Sequence, residues 1–209
     1  MVLMENEKSS LHGRALILRA ALQLFSAHGY DATSIDDIRQ AAGFKSKASL
    51  YTHFKSKEEI GSALLNEILE EENRVLMEAY AAAQSEPLSQ LVAMGKAYVA
   101  WGLTHPEKYA FCFLRAQTEL LIQGKHANVI GEHPQPSEQL LLDLICDLRK
   151  EYPVRQIADA ALLSMMMGLS NRVIIDQATF GPISIEARIQ QIMEVGISIL
   201  FTSSVVLPI

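Results

Sequence analysis

Residues 34–54, SIDDIRQAAGFKSKASLYTHF, constrain this chain more than any other stretch. Ser34 followed three residues on by Asp37 is a capping box with Asp in the usual Glu place, so a short helix opens there. Ile35, Ile38, Ala41 and Ala42 supply its apolar face and Gly43 ends it. A second short helix is predicted over 47–54. On its wheel Leu50 and Phe54 lie inward. Ala48, Ser49, Tyr51 and Thr52 point away from them, and Lys47 and His53 flank the apolar side. Two short helices about a glycine, the second with hydroxyls and bases outward, outline a helix-turn-helix whose second helix enters the DNA major groove. The methyl of Ala48 suits a thymine methyl. Lys45, Lys47, Lys55 and Lys57 can neutralise phosphates, which positions a protein without reading sequence. A three-helix subdomain with a merely solvated polar face has the same pattern.

The rest of the chain reads as all-α. Hydrophobic residues make up 49% of the 209 and charged residues 20%, enough apolar content for a sizeable core. Period-two runs of Val, Thr and Tyr are absent. A first helix over about 11–28 buries Ile17, Ala20, Ala21, Leu24 and Phe25, with Gly29 just past its end, and residues 1–9 are expected to fray. Of 18 basic and 24 acidic residues, eight and five fall at or before Lys57. The net charge is therefore +3 up to Lys57 and −9 beyond it, a local basic patch on an acidic protein, as suits a DNA binder. Cys112 and Cys146 form no CxxC pair, so no metal or other cofactor is expected. Two lone thiols, no apolar run near ~18 residues and no signal-peptide core point to a cytoplasmic protein with no membrane partner. No Ser/His/Asp set, paired carboxylates or phosphate loop stands out, so the chain is read as not an enzyme.

Residues 15–43, ALILRAALQLFSAHGYDATSIDDIRQAAG, followed by ASLYTHFKSKEEI at 48–60, resemble the N-terminal domain of TetR-type (TetR/AcrR) transcriptional regulators. The AALQLF helix, the HGYDATS turn, the LYTHF helix and the SKEE start of the next helix agree in order and spacing. The resemblance covers roughly residues 11–65. It implies an all-helical homodimer with a helix-turn-helix domain at 1–57 and a ligand-sensing and dimerisation domain at 58–209. It also implies a double-stranded, pseudo-palindromic DNA operator, most often repressed, and a small-molecule effector that releases it. Carried over by position, Thr33 and Ser34 touch phosphate, Lys47, Ser49, Tyr51, Thr52 and His53 line the groove, and Lys57 grips the backbone. The common turn has six steps from its glycine to the leucine of LY. Here Gly43 to Leu50 is seven, which leaves Lys45 and Ser46 without a carried-over place.

Beyond Lys57 the resemblance is loose, and residue patterns carry the reading. Ser56 and Glu59 cap a fourth helix running to about Ala83, with Glu70, Glu71 and Glu72 expected to face solvent. Helices over 87–104, 106–123, 136–151, 155–179 and 184–203 follow, with 124–136 the least structured connection. Trp101, Tyr109, Phe113, Met165 and Met166 are candidates to line a largely apolar effector cavity, with plain core as the alternative. Arg115 and Glu119 can orient a polar ligand group or form a structural ion pair. Small and apolar strips at Ala160, Ser164 and Gly168, and at Ile189, Met193 and Gly196, are candidates for a four-helix dimer interface. The rivals are an all-helical carrier or enzyme with a vestigial DNA-binding domain, and an activator or nucleoid binder.

Overall fold

The structure, a computed structural model, describes residues 2–113, 135–203 and 205, with side chains from Leu11 onward. All of these residues are helical or irregular, apart from one isolated antiparallel bridge between Val154 and Phe201. Three helices form the N-terminal part: α1 (Val2–His28), α2 (Ile35–Ala41) and α3 (Lys47–Tyr51). α4 (Lys57–Ala82) leads away from it into α5 (Pro87–Thr104), α6 (106–113), α7 (Pro136–Leu148), α8 (Asp159–Ile175) and α9 (Ile185–Ser198). A 3-10 turn, Gln177–Phe180, links the last two. The expectations for the rest of the sixth helix, for most of the 124–136 connection and for the Arg115–Glu119 pair lie outside the described residues.

Local chemistry explains the breaks. α1 ends in a left-handed cap, with Gly29 at φ +85° donating its N–H to the Phe25 carbonyl at 3.0 Å. α2 ends in a Schellman motif. Gly43 at φ +79° donates to Gln40 and Phe44 donates to Arg39, both at 3.0 Å. A side chain at 43 would be strained by that φ whatever the space around it. Pro87 occupies the first turn of α5, and Glu86 accepts from the N–H groups of Leu88 and Ser89.

Several predicted boundaries shift. α1 begins at Val2 rather than near 11, because nothing from 2 to 12 breaks a helix. α3 stops at Tyr51 rather than 54, since Thr52 and His53 turn the chain so that Phe54 can drop into the core. The segment predicted to open α8 at 155 is irregular up to Asp159. Arg149 holds it, donating to the carbonyls of Arg155 and Ile157 and to the Asp159 carboxylate. α9 stops at Ser198 rather than 203, because the chain after it pairs with 153–155. Arg155 donates to the Leu200 carbonyl at 2.8 Å and Thr202 to the Pro153 carbonyl at 2.9 Å.

A single apolar cluster runs from Ile17, Ile38, Leu50 and Phe54 through Ile60, Leu64 and Ile68 of α4 to Met94, Ile145, Leu162, Ile174 and Leu200. Leu50 and Phe54 are fully buried, as the wheel predicts, and the Arg14 guanidinium lies 4.4 Å from the Phe54 ring centroid. Ala41 departs from its predicted inward face and is exposed, which leaves Ile38 as the only fully buried residue of α2. Phe54→Ala should cost about 3–5 kcal/mol of stability, and Ser46→Ala, which removes only the cap of α3, about 1 kcal/mol. Urea unfolding of both variants checks this. Equal losses would show that α3 is not seated through Phe54.

Candidate functional site

The outward face of α3 is built by short-range bonds on a hydrophobic seat. Ser46 caps the helix by accepting the Ser49 N–H at 3.2 Å, so one of the two residues left unplaced by the longer turn is the N-cap. The other, Lys45, is exposed on the turn. Lys47, Ala48, Tyr51 and Thr52 are exposed on the same short helix, Tyr51 to 46%. Ser49 is half-buried, and its hydroxyl donates to the Ser46 carbonyl at 2.7 Å. The Thr52 hydroxyl donates likewise to the Ser49 carbonyl, so both keep oxygen lone pairs for an incoming donor. The extra residue of the turn is absorbed by Phe44, whose ring meets the His53 imidazole edge-on, centroids 5.6 Å apart.

Other predicted contacts turn inward. His53 is half-buried, and its Nε2 lies 2.7 Å from where a Cβ on Gly13 would stand, so it packs against α1 and supports α3. Gly13 is the residue that permits this approach. Thr33 is 3% exposed, and its hydroxyl donates to the Gly29 carbonyl at 2.8 Å, closing α1 instead of meeting phosphate. Ser34 is exposed, but it accepts from the Asp37 N–H at 3.2 Å while its own hydroxyl donates to the Asp37 carboxylate at 2.6 Å. Those bonds hold Asp37 below the usual carboxylate range. Lys57 reaches back across the turn. Its Nζ donates to the Tyr30 carbonyl at 3.0 Å and lies 4.5 Å from the Tyr30 ring centroid. Sequence reasoning missed Arg39, which pairs with Asp36 at 2.8 Å and donates to the Phe44 carbonyl at 2.5 Å, pinning the longer turn. Asp36, held low by Arg39, also faces Lys47 at 3.8 Å, an exposed pair of little energetic weight.

Residues 17–64 match the family of bacterial regulatory proteins, tetR family. That match takes in the C-terminal part of α1, all of α2 and α3 and the start of α4. A stretch of 44 residues, 21% of this chain, is 52% identical to the biofilm operon icaADBC HTH-type negative transcriptional regulator IcaR of Staphylococcus epidermidis. That stretch is 23% of the relative's own length. Over longer spans the likeness is one of fold. A TetR family transcription regulator from Marinobacter aquaeolei superposes with a TM-score of 0.71 at 16% identity, over 93% of this chain and 98% of that one. The ketosteroid transcriptional regulator KstR2 of Mycobacterium tuberculosis does so with 0.68 at 19% identity, over 91% and 95%.

Behind the tetR-type domain, α4 to α9 enclose a cavity of about 580 Å³. Trp101, Tyr109, Phe113 and Met166 line it, as predicted. Met165 does not. It is 50% exposed on the outer face of α8. Ala160, Ser164 and Gly168, the expected interface residues of that helix, are exposed and border the cavity. The α9 strip is internal: Met193 and Gly196 are buried and line the cavity, and Ile189 is half-buried. The Met193 methyl sits 2.6 Å from where a Cβ on Gly95 would stand, so this face of α9 is spent on α5. The large apolar residues that α8 and its leading segment leave exposed are Ile157, Met165, Leu169 and Ile175, and α9 exposes Ile185 and Val195.

The acidic run of α4 does not simply face solvent. Glu70 does. Glu71 accepts from Lys108 Nζ at 2.5 Å and from the Trp101 indole at 3.1 Å, and these outweigh its burial and hold it below the ordinary value. Glu72 lines the cavity, where a second carboxylate, Glu138 of α7, also arrives. Burial, then the nearness of Glu138, raises Glu72 to about 7. Glu72 is half-buried on the cavity wall. Leu69, Glu72 and Leu76 share one helical face, which was the available signal. Beside them Tyr98 and Tyr109 share a hydrogen bond of 2.9 Å. Tyr109 in turn donates to Asn171, so Tyr98 is the donor of the first bond.

Since the folded state raises the Glu72 pKa, this residue favours folding below the ordinary carboxylate value of 4.5, and that contribution is lost as pH rises through about 7. Glu138, raised by burial, acts with the same sign. Relative to wild type, Glu72→Gln should therefore gain stability on going from pH 4 to pH 8, on the order of 3 kcal/mol in all. Denaturant titrations at the two pH values measure it. A pH-independent difference would place Glu72 in water.

Proposed function

We propose that the chain is a homodimeric transcriptional repressor that reads a pseudo-palindromic operator through α3 and is released by a small, largely apolar effector. The observation that carries this reading is the outward face of α3. Ala48, Tyr51 and Thr52, with Lys45 and Lys47 beside them, stand exposed on a short helix whose other side is locked by two fully buried anchors. That helix falls within the tetR-family match and is followed by an intact start of α4. The division of labour is residues 1–57 for DNA and 58–209 for sensing and dimerisation. Operation in the cytoplasm on free duplex fits this role.

Within the interface, Tyr51, Thr52 and Ala48 meet base edges, and Lys45, Lys47 and Lys55 meet phosphates. Ser34 lies at the margin. Thr33, His53 and Lys57 act through structure, holding α1, α3 and the α1–α2 turn in place. Exposed Ile157, Met165, Leu169, Ile175, Ile185 and Val195 are the large apolar side chains of α8, α9 and the segment before α8 available for a second copy.

A contiguous set of rings supports coupling between cavity and groove. Tyr109 and Cys112 of α6 line the cavity, and Phe111 of the same helix stacks on Phe25 of α1, centroids 5.6 Å apart and planes within 9°. Phe25 packs on Tyr30, which holds Lys57. An effector that shifts α6 thereby shifts α1 and, in a dimer, the spacing of the two α3 helices. Half-sites about 34 Å apart make such a shift unfavourable for binding. The effector acts only through its differential affinity for the two spacings, with coupling of about 1–3 kcal/mol.

The test begins with selection of bound fragments from genomic DNA, followed by binding measured by fluorescence anisotropy. Tyr51→Ala should weaken operator binding by about 1–3 kcal/mol and relax base preference, whereas Lys45→Ala should weaken all sequences alike. Wild-type affinity in a Tyr51→Ala, Thr52→Ala double variant would remove α3 from the interface. Light scattering should find Leu169→Arg with Val195→Arg monomeric. A persistent dimer would move the interface off this face.

A further inference from the structure

We propose that the cavity between α4 and α8 takes an apolar molecule carrying one positive charge, with Glu72 as its counter-ion. This names the chemical class of the effector and rests on the reading of the cavity as the effector site.

The argument starts from an isolated charge. Glu72 lines the cavity with Leu69, Leu76 and the aromatic wall, and no hydrogen bond or ion pair among the described residues engages its carboxylate. A buried carboxylate without a partner opposes folding, so such a group is retained at a stability cost that packing alone does not explain. The charge balance of the wall points to what relieves it. Two carboxylates, Glu72 and Glu138, line the cavity, and no Lys, Arg or His does among the described residues. Among the described residues an anionic ligand would meet two acids and no base, and a neutral one would leave the Glu72 charge unpaired. A cation reverses both penalties.

The remaining wall suits the same class. Tyr98, Trp101 and Tyr109 contribute aromatic rings, a class of group that attracts ammonium ions, and Met94, Met166 and Met167 contribute a polarisable apolar lining. The titratable groups facing Glu72 are Glu138 from α7, Tyr98 from α5, and Tyr109 and Cys112 from α6. Burial pushes the two phenols and the thiol upward, so near neutral pH these groups stay uncharged and Glu138 is the other acid. Because the empty cavity holds Glu72 partly protonated near pH 7, binding of a permanent cation transfers that proton from the Glu72 carboxyl to the buffer.

The full-length protein is titrated with three probes of equal chain length: decyltrimethylammonium, decanol and decanoate. Quenching of Trp101 reports binding. The ammonium probe should bind at least about tenfold more tightly than the other two. Glu72→Gln should remove that preference while changing decanol affinity less than about twofold. Calorimetry at pH 7 in two buffers of different ionisation enthalpy should show proton release with wild type and none with Glu72→Gln. The variant should fold, because a neutral amide replaces an unpaired charge, and a thermal melt checks it. Glu138→Gln provides a second variant with a smaller expected loss. Tighter binding of decanoate, an ammonium affinity unchanged in Glu72→Gln, or binding of no probe overturns the proposal. The effector reading is scored separately, by adding each bound probe to the operator complex. Glu72-dependent ammonium binding without operator release leaves the charge assignment standing and removes the effector role. Decanoate that both binds and releases does the opposite.

Discussion

A five-residue helix has almost no stability of its own, since nucleating the first turn costs more than one hydrogen bond returns. The burial of Leu50 and Phe54 is therefore the interaction on which the rest depends. These two side chains fix the rotation of α3, and with it which residues look outward. The polar supports act on that seat. Arg14 lies over Phe54, His53 fills the notch at Gly13, and Ser46 caps the first turn. Each also limits how α3 can tilt, which a groove-reading helix requires.

The cavity is organised by the opposite principle. Where the N-terminal domain pairs its helix caps and turns, the cavity leaves Glu72 without a partner among the described residues in a largely apolar wall. The contrast extends to its neighbour in sequence. Glu71 points to the other side of α4 and is closed by Lys108 and Trp101, tying α4 to α5 and α6. Two adjacent carboxylates thus do different work, one structural and one facing the cavity. α6 is common to both sites, with Tyr109 and Cys112 on the cavity and Phe111 against Phe25.

The small-residue strips of α8 and α9 show where pattern alone stops. Small residues at spacing four identify a face that allows close approach, but not which neighbour approaches. On α9 the neighbour is α5 of the same chain, and Met193 fits against Gly95. On α8 the strip is exposed at the edge of the cavity, and the larger apolar residues Met165, Leu169 and Ile175 are exposed as well. Likewise Met165 and Met166 are chemically alike, and only the rotation of α8 sends one outward and the other in.

The sequence by itself determined the all-helical class, the two anchors of α3, the caps at Ser34 and Ser56, the glycine turns and the outward set Ala48, Tyr51 and Thr52. These depend on helical periodicity and on bonds between residues at most a few positions apart, so they are encoded locally. Only the tertiary structure decided the inward roles of Thr33, His53 and Lys57, and the meeting of Glu72 with Glu138. Those depend on partners far along the chain: Lys57 on Tyr30, His53 on Gly13, and α4 on α7. A helical wheel says which residues share a side, but packing decides what that side faces.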